Sequence, residues 1–171
     1  VVAEVREPLV DVIVLASLYS VRLFMGGQAA GVLVSEWLMA FSGFLFVSLA
    51  FVKRYTELTR LVREGRRRSK GRGYLVTDLS LVENFGMTSG YLAVAVLTLY
   101  IHAPETKQLY PNSWALWLIC PLSLYWISRV WLFAKRRLLS EDPVVFAIRD
   151  RVSLLVAGVI AGLVLLASRP W

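Results

Sequence analysis

Long apolar runs, broken by short charged or glycine- and proline-rich punctuation, fill the chain from Pro8 to Ser168. A helix needs about 20 residues to cross a hydrocarbon core. Runs of that order recur five times, which predicts spans over residues 8–27, 35–60, 78–101, 113–136 and 143–168. Pro8 suits a first helical turn, and Gly26-Gly27 predicts the end of the first span. Ser35 can cap the second, which meets no breaker until Gly65. In "SLVE", Ser80 and Glu83 have capping-box spacing at the start of the third span, near Asp78. Pro121 predicts a kink in the fourth, and "EDP" predicts an acidic cap with Pro143 in the first turn of the fifth.

Composition agrees with the pattern. The 171 residues are 57% hydrophobic with mean hydropathy +0.62, above the roughly 45–50% apolar content of soluble domains. The fold class is therefore all-α, a single polytopic membrane helix bundle with no separate soluble domain. The opening "VVAEVREPLVDV" lacks the basic and apolar regions of a signal peptide. A start without methionine suggests a fragment or a processed product.

Charge sets the expected orientation, because short loops rich in Lys and Arg stay cytoplasmic. Residues 60–73 hold seven of the nineteen basic residues and residues 135–151 hold five. The other connections hold Lys107 or none, and the tail holds Arg169. The N-terminus is then cytoplasmic and the C-terminus external, as five spans require. Trp37, Tyr110, Trp114 and Trp171 fall at the expected outer boundary, like an aromatic belt.

The single Cys120 cannot form an internal disulfide, and no Cys/His cluster offers a zinc site. His102, where an apolar run ends beside Pro104, reads as interfacial. "GRRRSKGRG" lacks P-loop spacing and a preceding strand, which argues against nucleic acid and for topology and anionic lipid contact, with a lid over a phosphate-bearing substrate as the alternative.

The candidate chemistry lies in "FVKRYTELTRL". A 3.6-residue repeat puts Lys53, Glu57, Arg60 and Glu64 on one stripe and turns Arg54 about 100° away from Lys53. One reading is an i,i+4 salt bridge with snorkelling at a span end. The other has Lys53 and Arg54 meeting a phosphate or diphosphate while Glu57 ligates a bridging Mg²⁺. Arg22 lies among apolar residues at a depth costing at least about 2.5 kcal/mol unless paired or wetted, so it is expected to face protein, either snorkelling outward or meeting a carbonyl four residues before Gly26, or else serving the cavity, with Tyr19 one turn earlier on its face. Asp11 and Asp78 lie at the level of the Glu57 stripe and can converge with it on one cavity mouth. Arg149 and Arg151 can add phosphate contacts or be juxtamembrane charge, and Arg129 is close enough to a span end to snorkel. Glu4, Glu7 and Asp11 have acidic spacing that Pro8 interrupts.

"REPLVDVIVLASLYSVRLFMGGQAAGVLVSEWLMAFSGFLFVSLAFVKRYTEL", with the later "EDPVVFAIRDR", resembles the second half of the UbiA prenyltransferase superfamily, over nearly the whole chain. The nearest likeness is to the bacterial branch with decaprenyl-phosphate phosphoribosyltransferase and the membrane halves of phosphatase-fused proteins. The resemblance implies an intramembrane bundle in the bacterial plasma membrane, with a cavity open to the cytoplasm and to lipid. It implies group transfer between a polyprenyl (di)phosphate and an acceptor, with Mg²⁺ held by two acidic motifs. The second motif corresponds to Lys53-Arg54-Tyr55-Thr56-Glu57, where only Glu57 is acidic, which departs from a two-metal arrangement. The first, N-D-x-x-D-x-x-x-D, has no equivalent here. The chain is then the C-terminal part of a longer enzyme, or needs a partner subunit, or does not catalyse. Under the first reading Glu57 and Lys53 are catalytic, and Lys53, Arg54, Arg60, Arg149 and Arg151 bind substrate phosphate. Asp11, Tyr19, Arg22 and Asp78 then line the cavity. The alternatives are a non-catalytic polyprenyl-lipid-binding subunit and a transporter half.

Overall fold

A computed structural model of the chain describes residues 9–31, 34–65, 73–139 and 142–169. Among these residues seven α-helices run in the order α1 (Val10–Ala29), α2 (Glu36–Arg63), α3 (Leu79–His102), α4 (Pro104–Leu109), α5 (Ile119–Lys135), α6 (Pro143–Arg149) and α7 (Arg151–Ser168). No strand occurs among the described residues. Five segments of the described residues are long and apolar enough to cross a membrane: Val10–Ala29, Glu36–Arg63, Val76–His102, Ser113–Lys135 and Arg151–Ser168.

Several ends follow local chemistry. Ser35 caps α2 by accepting from the Leu38 N–H at 3.1 Å, and Gly65 follows the helix with φ +67°. The first span does not stop at Gly26-Gly27. It continues to Ala29, and Gly31 with φ +67° supplies the terminating turn. Nothing lies within 4 Å of a side chain at Gly26, so no packing demand breaks the helix there. The expected Ser80/Glu83 cap is also absent. The Asp78 carboxylate accepts from the Leu75 N–H at 2.9 Å, closing a 3₁₀ turn over Val76–Asp78 that leads into α3. Glu83 instead pairs across the bundle with Lys135 at 2.6 Å.

The fourth span begins as a 3₁₀ segment, Ser113–Leu118, and becomes α-helical at Ile119, so Pro121 sits in the first α-helical turn. The fifth is divided. Asp150 is extended (ψ 122°) and separates α6 from α7, because its carboxylate accepts from the Ser153 N–H and starts a new helix. Pro8, Glu4, Glu7, Trp171 and residues 66–72 of the basic run lie outside the described residues.

α2 is the spine of the bundle, packed along α3 on one side and α1 on another, with α5 closing the core. Val52, Leu58, Val82 and Val130 are almost wholly buried there. α3 approaches closely at Gly86 and Gly90, a small-xxx-small pair that leaves room for Trp131 and Ile127. Trp131 donates its indole N–H to Ser48 at 3.1 Å and meets the Tyr55 ring edge-on at 5.8 Å. A second, smaller core around Ile101, Leu116 and Ile119 forms at the opposite end, where Asn112 bonds the end of α7 through Ala167 and Arg169 carbonyls.

Candidate functional site

The last turns of α2 carry the charge that points to a site. Successive helical residues are 100° apart, so Lys53 and Arg54 leave the helix in different directions. Arg54 enters the core and is 5% exposed. Its Nη1 donates to Glu57 one turn later, and its Nε lies 3.1 Å from Asp11 Oδ2 on α1. The Nε–Asp11 contact is ionic but misaligned, so neither atom gains a directional hydrogen bond from it. Two carboxylates thus flank one buried guanidinium, which is what makes its burial tolerable.

Tyr74 extends this cluster. Its hydroxyl donates to Asp11 Oδ1 at 3.1 Å and accepts from the Leu9 N–H at 2.8 Å. Burial pushes the Tyr74 hydroxyl up to about 12, with Asp11 adding to the rise against the Leu9 N–H, so the donor keeps its proton at neutral pH.

Lys53 points to α6, its Nζ 2.5 Å from Asp142 Oδ2. Asp142 also caps α6 through the Val144 N–H at 3.0 Å. Burial works to raise the Asp142 carboxyl, but Lys53, the Val144 N–H and nearby Arg54 outweigh it and hold it below its ordinary value. At the other end of α6, Asp150 takes both prongs of Arg129, at 2.7 and 3.0 Å, and both donors of Ser153. Burial again works upward there and is outweighed by these partners, so the Asp150 carboxyl is also held low. Arg129 stacks over Phe133 at 4.2 Å, and Trp126 donates to Ser153 at 2.9 Å.

This arrangement corrects the expected stripe. Arg60 and Glu64 do pair along it, at 2.8 Å on the surface, but Glu57 serves the buried Arg54 and Lys53 crosses to the part-buried Asp142 on α6. Asp78 is engaged in its own turn and does not join Asp11. Tyr19 packs on Phe46 at 5.3 Å, and among the described residues Arg22 is exposed, lying over the Tyr19 ring at 5.5 Å, and does not face the interior. Arg149 and Arg151 are exposed on either side of Asp150. Arg129 is a buried pair member, not a snorkelling cation. Asp142, Asp150 and Tyr74 were not singled out by the sequence as site residues. The available signals were local: "EDP" marked Asp142 as part of an acidic cap, and Asp150 stands three residues before Ser153, an N-cap spacing.

Beside the cluster runs an apolar trough in two parts. One, of about 540 Å³, is lined by Leu9, Val12, Ile13, Phe51 and Phe85 among others, and the second, of about 410 Å³, by Ala16, Ser20, Phe24, Met39 and neighbours. Ile13 and Val47 line both, so the parts adjoin along α1. Lys53, Arg54 and Glu57 line neither part.

Among the described residues the expected Mg²⁺ ligand set is not assembled. Among the described residues no three His, Cys, Asp or Glu side chains gather to hold a metal ion, and both Asp11 and Glu57 already face Arg54.

Fold and site together describe a bundle of five potential membrane spans with a charged end and an apolar trough leading from it. In sequence the chain is similar to nodulation protein NoeC of Azorhizobium caulinodans, 37% identical over 167 residues, which covers 96% of this chain and 54% of that protein. It is also 34% identical over 165 residues to the uncharacterized protein y4nM of Sinorhizobium fredii, covering 95% of this chain and 32% of that one. The chain thus spans about half the length, or less, of these relatives. No family model matches it, and no solved structure does.

Proposed function

We propose that this chain is the phosphate-facing part of a UbiA-like intramembrane prenyltransferase, moving a group between a polyprenyl (di)phosphate and an acceptor at the cytoplasmic face of a bacterial plasma membrane. The observation that carries the reading is the junction of trough and cluster. Leu9 lines the apolar trough while its N–H is held by Tyr74, and Val12 lines it beside Asp11, the partner of Arg54. A ligand with a long apolar tail and an anionic head matches that pairing of surfaces.

On this reading Lys53 leaves Asp142 to meet the phosphate, Arg54 holds Asp11 and Glu57 in place behind it, and Arg149 and Arg151 add positive field at the mouth. The apolar trough takes prenyl units and keeps water from the reacting centre. Carboxylates for a Mg²⁺ ion belong to segments outside these residues or to a partner. The pairing of Arg54 with two acids, and the lack of a metal-holding acid group among the described residues, favour a second reading: a subunit that holds a polyprenyl phosphate without chemistry.

The test is turnover of a radiolabelled polyprenyl phosphate by the full-length protein. Lys53→Ala and Glu57→Ala abolish transfer while membrane insertion persists. Unchanged turnover in both variants overturns the proposal, and binding without turnover in the unmodified protein selects the second reading.

A further inference from the structure

Arg22 is the one charged side chain deep within α1, and it is exposed. It stands twelve residues into a twenty-residue helix, about 18 Å along a span of about 30 Å. The nearer end is the one beyond Gly26, yet the side chain does not reach for it. Side chains on a helix lean toward its N-terminus, and the Arg22 guanidinium lies over the ring of Tyr19, one turn back. Tyr19 is at the midpoint of α1, so the charge sits near the middle of the span with an aromatic face on one side. Facing hydrocarbon there costs about 2.5–3.5 kcal/mol on the insertion scale.

The same helix face carries Asp11, Leu15, Leu18 and Met25, which recur at three- and four-residue intervals. It lies opposite the apolar trough. Asp11, at its foot, is only part-buried although it is paired with Arg54. A single helix laid along this stripe would cover both the open side of Asp11 and the exposed guanidinium.

A second copy of the chain does not supply the missing charge. The carboxylates within α1, α2, α3, α5 and α7 are Asp11, Glu36, Glu57 and Glu83, each within six residues of a helix end. None stands at the depth of Arg22.

We infer that the Asp11–Leu18–Arg22–Met25 face of α1 is the docking surface for a further transmembrane helix, from outside these 171 residues, that carries a carboxylate near mid-membrane. The contact is independent of whether the assembly transfers a prenyl group.

Spin labels placed singly at Leu18, Met25 and Leu155 of the full-length protein in its own membrane, with Cys120 replaced by Ala, test this through their accessibility to dissolved oxygen. Leu155 on α7 is 64% exposed and serves as the lipid-facing reference. Labels at Leu18 and Met25 lose oxygen accessibility relative to Leu155. Arg22→Glu restores it at both positions while Leu155 is unchanged, and Arg22→Lys keeps them shielded. Labels at Leu18 and Met25 as accessible as that at Leu155 overturn the proposal, and leave Arg22 to a lipid phosphate. Shielding that survives Arg22→Glu overturns the carboxylate partner. Transfer activity is not read, so loss of the enzymatic reading leaves this result standing.

Discussion

Arg129 on α5 grips Asp150, the residue between α6 and α7, end-on, with both guanidinium prongs engaged at 2.7 and 3.0 Å. Their side chains are 13% and 16% exposed, so this is an interior pair. Removing one member of such a pair strands the other. Asp150→Ala is therefore expected to lower stability by about 3–5 kcal/mol, and Asp150→Asn by less, since it keeps an acceptor for Ser153. Thermal unfolding in detergent measures both.

Acid should reveal the same residues. Asp142 and Asp150 are held below the ordinary carboxylate value by their partners, against the upward push of burial. A depressed folded value means that the stabilisation is fully present above the unfolded value, about 3.9, and is lost as pH falls through the lower folded values. Stability from these pairs is thus flat from pH 7 to about 4.5, and falls below about 4. A double Asp142→Asn, Asp150→Asn variant shows a shallower acid limb in melting temperature against pH.

Arg54 and Lys53 are adjacent but predict different phenotypes. Arg54 is buried between two acids, so Arg54→Ala costs about 3 kcal/mol or more by leaving Asp11 and Glu57 facing each other. Lys53 is 39% exposed and pairs with Asp142, so Lys53→Ala costs about 1 kcal/mol or less. Loss of transfer in Lys53→Ala with an almost native melting temperature separates function from folding.

Gly86 is fixed by packing. A methyl group there meets the Trp131 ring and the Phe51 Cβ, the latter at 2.7 Å. Trp131 is tied to Ser48 and cannot yield freely. Gly86→Ala is expected to destabilise by about 1–3 kcal/mol, read as earlier aggregation on size-exclusion after heating, whereas Gly43→Ala, with open space around it, has little effect.

How much of this was legible depended on sequence distance. Ser35 and Gly65 mark helix ends by chemistry within one turn, and both were readable. Gly26-Gly27 misled because a glycine pair permits a helix end without requiring one, and the φ +67° residue came later, at Gly31. The division of the fifth span hung on Asp150, whose capping role was hidden in "RDR" between two arginines that drew attention as phosphate ligands. The helical period placed Lys53 and Glu57 on one stripe, but periodicity carries no information about Asp142, 89 residues away, or about Asp11 on another helix. Charge pairing across the bundle is a tertiary fact.

The seven residues of α6 are fastened at one end to α2 through Asp142 and Lys53, and at the other to α5 through Asp150 and Arg129. So mounted, α6 is a crossbar. Prising α2 away from α5 at that rim must first break an acid-base clasp, and a ligand that captured Lys53 would unhook one end and let the rim widen.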